Sequence, residues 1–296
     1  MPRTDDFYLA EVLTTSRITP NMVRVRLGGA ELSRFESSGY PDERLGVYFP
    51  NPGMRVPQRP RAVDGAWVFE DPSDEPQGRS YTVRNFDPHR GEMDIDFVVH
   101  DGGVASAWAL NAKPGDQVGL SAADGWFKPP ATTRHYVIAA DATGLPAAGR
   151  ILENLPAGTT ATVVTEIVNS ADAQELSSAA AVTYMWLAGS GMGHGPSRLD
   201  GAVRELPAPE PDTYFWVAAE ASVTRSIRKY LRKELSLTAR DMCVLGYWRR
   251  DKEDFMRRYE PVQETMVQRY GRLVESGMHG QELIDAWDAE LERAGF

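Results

Sequence analysis

The stretch RSYTVR, Arg79 to Arg84, sets two arginines around a tyrosine and a threonine. In an extended segment Arg79, Tyr81 and Val83 share one face, and Ser80, Thr82 and Arg84 share the other. A half-buried strand keeps one face apolar. Here each face combines an arginine with uncharged neighbours, an arrangement suited to holding an anion by charge-assisted hydrogen bonds. The same pattern alone also describes an exposed strand with ordinary surface ion pairs. Other chemistries find few residues. The chain has no G-x-x-x-x-G-K-[ST] phosphate loop, no H-E-x-x-H pair and no G-x-S-x-G elbow. GSGMGHG, Gly189 to Gly195, misses the spacing of the dinucleotide fingerprint. The histidines at 89, 100, 135, 194 and 279 form no i, i+4 pair, and Cys243 is the single cysteine. No internal disulfide, iron–sulfur cluster or built-in metal site is therefore expected.

The elements that must position these residues fall into two rhythms. The first half reads as short strands: MVRVRLGG, RLGVYFP, AWVFE, RSYTVRNF, EMDIDFVVH and DQVGLS, separated by Gly, Pro and Asp turn signals. Their spacing predicts an antiparallel barrel or sandwich. The proline-rich stretch from Pro50 to Gly78 reads as a long surface loop or a hairpin. Near Arg134 strands begin to alternate with helices: HYVIAA, GLPAAGRILENL, TATVVTEIV, YMWLAGS, SRLDGAVREL, TYFWVAAE, ASVTRSIRKYLRKEL and DMCVLGYW. That alternation predicts a parallel sheet covered on both faces. From Asp251 onward Phe255, Tyr259, Val262, Met266, Tyr270 and Leu273 mark one amphipathic helix, and Leu283, Ile284, Trp287 and Leu291 a second. The expected organisation is 1–130, 131–250 and 251–296.

The chain carries a net charge of −10, which argues against a nucleic-acid partner. No apolar run approaches the ~18 residues of a membrane span, and MPRTDDFYLAEV lacks the plan of a signal peptide. The cytoplasm is the expected location. The tail from Asp251 holds eleven acidic and six basic residues, a net of −5 and half the total charge. Its apolar stripe either packs on the main body or docks another protein.

R-x-Y-T resembles the flavin-binding strand of ferredoxin-reductase-like flavoproteins, and R-x-Y-T-V-R is similar to the version found in the siderophore-interacting protein family. DFVVHDGGVASAWALNAKPGD, DATGLPAAGRIL, YFWVAAEASVTRSIRKYL and GYWRRD resemble further motifs of that family, in its order. The resemblance covers roughly residues 7 to 250. It implies an N-terminal antiparallel β-barrel that binds FAD non-covalently, an α/β domain that binds NADH or NADPH, and a C-terminal helical extension. It implies reduction of a ferric siderophore, with electrons passing from NAD(P)H through FAD to Fe(III) and release of Fe(II). Two alternatives stay open: a flavin reductase serving a protein partner, and a flavin-containing protein that binds siderophore without turnover.

The resemblance also assigns residues. Arg79 would meet the FAD diphosphate, with backbone N–H groups of Gly102, Gly103, Ala105 and Ser106 at a helix start. Tyr81 would line the flavin ring, Thr82 would reach its N5/O4 edge as the one catalytic side chain, and Ser80 and Arg84 would complete the strand. His100 would lie near the diphosphate or ribose. Trp108 is either a core residue or a cofactor contact. Asp141, Thr143 and Gly144 would approach the nicotinamide nucleotide. Tyr247 and Trp248 would approach the flavin or, for Trp248, plug the domain interface. Gly46 stands where many members carry a siderophore-binding lysine, and Arg44, Arg249 and Arg250 would compensate. Along ASVTRSIRKYLRKEL, Arg225 is the phosphate candidate and the other basic residues form a solvated face. Glu166, at the end of the strand TATVVTEIV, would face the adenosine ribose and favour NADH over NADPH.

Overall fold

A computed structural model describes residues 7–63, 66–100, 102–192, 194–250 and 252–296. Asp101, Gly193 and Asp251, which belong to motifs or boundaries above, lie outside the described residues, as do positions 1–6. In chain order the elements begin with β1 (Phe7–Thr19), β2 (Met22–Gly28), β3 (Arg44–Phe49), β4 (Arg61–Val63), β5 (Ala66–Val68), β6 (Gln77–Thr82), β7 (Asn85–Asp87), β8 (Glu92–Val98), α1 (Val104–Asn111) and β9 (Gln117–Ser121). Seven of these strands form one antiparallel sheet in the order β6-β3-β9-β1-β2-β8-β7, curled into a half-barrel around Val25, Leu27, Val47, Phe49, Ile95, Phe97 and Leu120. Period-2 alternation decides which face goes inward. On the outer face of β2, Arg24 and Arg26 each make two hydrogen bonds to carboxylates of β8, Asp96 and Asp94, at 2.7–2.9 Å. Strand β1 was not legible in the sequence, because the run Thr14 to Arg17 is polar and exposed, yet it pairs with both β2 and β9. The proline-rich stretch contains the hairpin β4–β5. There Trp67 packs edge-on against Phe7 and Tyr48.

The second half contains β10 (His135–Ala140), α2 (Leu145–Asn154), β11 (Thr160–Ile167), β12 (Ala181–Ala188), α3 (Leu199–Arg204), β13 (Thr213–Glu220), α4 (Ala221–Lys233) and β14 (Met242–Trp248). Its five strands are parallel, in the order β12-β11-β10-β13-β14. Every residue of β13 is buried, as a strand covered on both faces requires. The order reverses between β10 and β13, which places the ligand-binding crevice beyond the carboxyl ends of these two strands.

Three helices follow: α5 (Lys252–Tyr259), α6 (Gln263–Glu275) and α7 (Gly280–Arg293). The periodicity predicted one helix through Leu273. Instead a 3-10 turn at Glu260–Val262 divides it, because Pro261 lacks the N–H that a continuous α-helix needs. The acidic helix α7 lies on the basic helix α4. Asp285 and Asp288 pair with Arg228, and Asp285 pairs with Arg232. Gln281 accepts the backbone N–H of Val244 in the edge strand β14 at 2.7 Å. The basic face of α4 is thus largely covered rather than solvated. Arg225 donates to the Phe296 carbonyl, and burial lowers the Arg228 guanidinium to about 10. The double substitution Asp285→Asn, Asp288→Asn would leave Arg228, 7% exposed, without its two ion-pair partners. The expected loss is about 3–5 kcal/mol, read as a lower Tm together with faster proteolysis of segment 252–296. Unchanged values of both would show that these pairs do not hold the tail.

Candidate active site

Edge strand β6 of the half-barrel faces the carboxyl ends of β10 and β14, and a cavity of about 1060 Å³ opens along that seam. Its half-barrel wall is formed by Arg79, Ser80, Tyr81 and Thr82, together with Arg44 on the adjacent strand. The ladder places Arg44 directly opposite Thr82. The Tyr81 ring packs on Phe97 with centroids 4.4 Å apart, and burial pushes its phenol well above the usual value. Arg79 is exposed. Its one described hydrogen bond is to the Gly78 carbonyl, and no carboxylate pairs with it among the described residues. Thr82 is 4% exposed, and its Oγ1 has no hydrogen-bond partner beyond the Tyr247 hydroxyl.

The turn between β8 and α1 forms the next part of the wall, through His100, Gly102, Gly103, Val104 and Ala105. Gly102 has φ +77°, a region open to glycine. A Cβ on Gly103 would stand 2.4 Å from the His100 ring, so only glycine lets the imidazole lie across the chain there. No side chain caps the N-terminus of α1, which leaves first-turn N–H groups for an anion.

The second half contributes Thr143, Pro146, Met192 and the end of β14 from Gly246 to Arg250. Tyr247 and Trp126 sandwich the Arg44 guanidinium at 4.4 and 4.5 Å from their ring centroids. Trp248 donates from Nε1 to Asp141 Oδ2 at 2.6 Å. Asp141 is 1% exposed and also accepts from Thr143 N–H, Thr143 Oγ1 and Glu220 N–H. Burial raises its pKa, against the pull of those donors. The acid therefore ties together the ends of β10, β13 and β14 at the point where strand order reverses.

Beside this seam lies a second cavity of about 510 Å³, whose lining includes Asp141, Glu166 and Glu220 together with Arg249, Arg250 and Arg258. The two cavities share Met192, Trp248, Arg249, Arg250 and Phe255. Burial alone would raise the Glu220 pKa. Donors from Ser222, Arg250 and Val223 bring it below its ordinary value.

Several expected site residues sit elsewhere. Arg84 turns from the cavity to Glu153 of α2, at 2.6 Å, because it lies beyond the end of the strand at Thr82. Ser106 is buried and accepts the His100 backbone N–H through Oγ at 3.0 Å, so it shapes the turn rather than lining the cavity. A Cβ on Gly144 would lie 2.7 Å from the Ala218 carbonyl; this glycine serves the contact of helix with strand. Asp141 lines the smaller cavity. Glu166 does too, with its carboxylate receiving Ser190 Oγ, Ser197 Oγ and Arg198 N–H, which leaves it fewer lone pairs for a ribose hydroxyl. Trp108 packs on Phe49 and Phe97 as part of the core. At Gly46, where a lysine was the reference, the Tyr48 ring fills the space, 2.8 Å from any Cβ built there. Sequence reasoning missed the tail's contribution: Lys252, Phe255 and Met256 line the large cavity, and Phe296 the smaller. Helical spacing marked Phe255 only as a packing residue.

The large cavity suits FAD. It offers an unpaired exposed arginine beside an uncapped helix start for the diphosphate, an aromatic side chain for the ring, and two buried hydroxyls, of Thr82 and Tyr247, with no partner beyond each other. Comparison with known proteins agrees. The family model described as siderophore-interacting FAD-binding domain matches residues 11–126, and that described as siderophore-interacting protein matches 133–251. The NADPH-dependent ferric-chelate reductase of Escherichia coli is 30% identical over 226 residues, 75% of this chain and 85% of that protein. Ferric vibriobactin reductase ViuB of Vibrio cholerae is 29% identical over 253 residues, 83% and 90%. A siderophore utilization protein from T. fusca superposes with TM-score 0.74 at 33% identity, covering 85% of this chain and 95% of that one. Arg79→Ala is expected to weaken FAD binding roughly ten- to hundredfold, the worth of a charge-assisted bond of ~1.5–3 kcal/mol. Fluorescence titration with FAD reads this directly. Affinity equal to wild type would exclude Arg79 from the diphosphate.

Proposed function

Because this chain belongs to the siderophore-interacting protein family, we propose that it is an FAD-dependent reductase of ferric siderophores fed by NADH or NADPH. The observation that carries the reading is the continuity of the two cavities. One is furnished for a flavin dinucleotide, and the other lies at the carboxyl ends of the parallel strands, where nucleotides bind in open α/β sheets. FAD, when bound, supplies the chemistry: it takes a hydride from the nicotinamide and gives single electrons to Fe(III), releasing Fe(II).

The chain's own residues bind and orient. Arg79 and the uncapped start of α1 hold the diphosphate, with His100 laid across Gly103. Ser80 and Tyr81 line the ring site, and the Thr82 hydroxyl presents a hydrogen bond to the ring edge. Thr143 and Asp141 shape the nucleotide's entry, and Trp248, pinned by Asp141, stands where the two cavities meet. Arg249 and Arg250 carry positive charge at the shared mouth and suit an anionic ferric chelate. In this division residues 1–130 hold FAD, 131–250 admit the nicotinamide nucleotide, and 251–296 complete the wall of both cavities. We place the reaction in the cytoplasm, the compartment that supplies reduced nicotinamide nucleotides.

Anaerobic addition of NADH or NADPH to the FAD-loaded protein is expected to bleach its visible absorbance. A ferric siderophore should then restore the colour while an Fe(II) chelator traps one Fe(II) per electron. Absence of bleaching would favour a flavin-containing binding protein. Bleaching without recovery would favour a reductase whose acceptor is another protein.

A further inference from the structure

Few buried side-chain polar atoms of the described residues lack a hydrogen-bond partner beyond one another, and three of them belong to side chains on the wall of one cavity: Arg44 Nε, Thr82 Oγ1 and the Tyr247 hydroxyl. They come from three strands, β3, β6 and β14, that meet at the seam. Arg44 is the unusual member. Its guanidinium forms no ion pair among the described residues and is held instead between the faces of Trp126 and Tyr247. Neither acid just before it in the chain forms an ion pair with it: the Glu43 carboxylate is taken by Arg150, Ser37 and Ser38, and Asp42 attracts it only through the field. Asp42 is 0% exposed, and its oxygens accept from Trp126 N–H, Phe127 N–H and Trp216 Nε1. A cation wedged between two rings keeps its orientation without a direct ion pair. In a site of low effective dielectric such a charge acts strongly on whatever enters beside it.

We infer that Arg44 is a tuning residue for the flavin: it favours the reduced, more negative form of bound FAD over the oxidised form. The placement supports this assignment over the substrate role that the sequence suggested. Arg44 lies directly across the ladder from Thr82, inside the wall built by the flavin strand, whereas Arg249 and Arg250 stand at the mouth shared with the second cavity. Two-electron reduction by hydride leaves the ring system more negative, and a fixed, unpaired positive charge stabilises that product without any side chain moving. The inference rests on the flavin reading of the cavity.

The test compares wild type, Arg44→Met and Arg44→Lys, each loaded with FAD, by anaerobic titration against a reference dye. Arg44→Met keeps the length and the packing between the rings but removes the charge. Its ratio of affinities for reduced over oxidised FAD is expected to fall about tenfold, a midpoint potential lower by about 30 mV for a two-electron couple. Arg44→Lys should recover most of that shift, and the dissociation constant for a ferric siderophore should change little in either variant. If Arg44→Met fails to fold or retain FAD, Arg44→Gln gives the same comparison with a smaller polar side chain. A potential unchanged in Arg44→Met or Arg44→Gln, with the siderophore constant weakened instead, would overturn the inference and return Arg44 to the substrate. A wild-type protein that retains no FAD would overturn the flavin reading itself, and this inference with it.

Discussion

Asp42 and Glu43 are both 0% exposed, and both reach from the half-barrel into the second half of the molecule. Asp42 accepts Trp216 Nε1 at 3.1 Å, from the middle of β13. Glu43 accepts Arg150 Nη1 of α2 at 2.8 Å. A buried carboxylate without donors costs several kcal/mol. Asp42 also accepts Trp126 and Phe127 N–H, and Glu43 accepts Ser37 Oγ and Ser38 N–H; Trp216 and Arg150 complete each donor set only when the two sheets are docked. Burial raises the Asp42 pKa, and the Trp126, Phe127 and Trp216 donors oppose that rise. The cross-seam bonds of these two adjacent buried acids thus help to register the two halves along the seam where both cavities open.

The same network reaches strand β6. Arg150 also donates to the Val83 carbonyl at 2.7 Å, one residue beyond Thr82. Val83 N–H donates in turn to the Glu43 carbonyl. Arg84 then pairs with Glu153, one turn of α2 further on. A helix of the second half therefore holds the end of the strand that presents Thr82. Asn21, in the β1–β2 turn, adds a second stitch through both oxygens of Asp172. Such an interface is polar and geometrically exacting, and it couples the placement of Thr82 to that of Asp141 and Trp248 across the seam.

The tail belongs to this architecture rather than hanging from it. Its helix α7 neutralises the basic face of α4 and supplies an acceptor to the edge strand β14, which closes an edge that would otherwise pair with other chains. Its helix α5 carries Phe255 to the junction of the two cavities, where Arg249 stacks on the ring at 4.0 Å. The acidic excess of the tail is thus partly spent inside the molecule, against arginines that composition alone assigned to solvent.

Much of this was legible in the chain itself. Alternation of period 2 gave most half-barrel strands and fully apolar runs gave the parallel ones, because these depend on neighbours close in sequence; R-x-Y-T and the glycine-rich turn, paired in the sequence reading, line one cavity. The 13-residue strand β1 escaped, since its partners, not its own pattern, make it a strand. The break at Pro261 was written in the sequence and outweighed by the periodicity around it. What only the tertiary structure decided are the long-range choices. Arg84 turned to Glu153, Glu166 spent its oxygens on the Ser190–Arg198 loop, α4 met α7, and Arg44 came to rest between two rings. A side chain's local sequence states what charge and reach it has. Which partner satisfies it depends on groups tens or hundreds of residues away, brought close only when both sheets and the tail pack together.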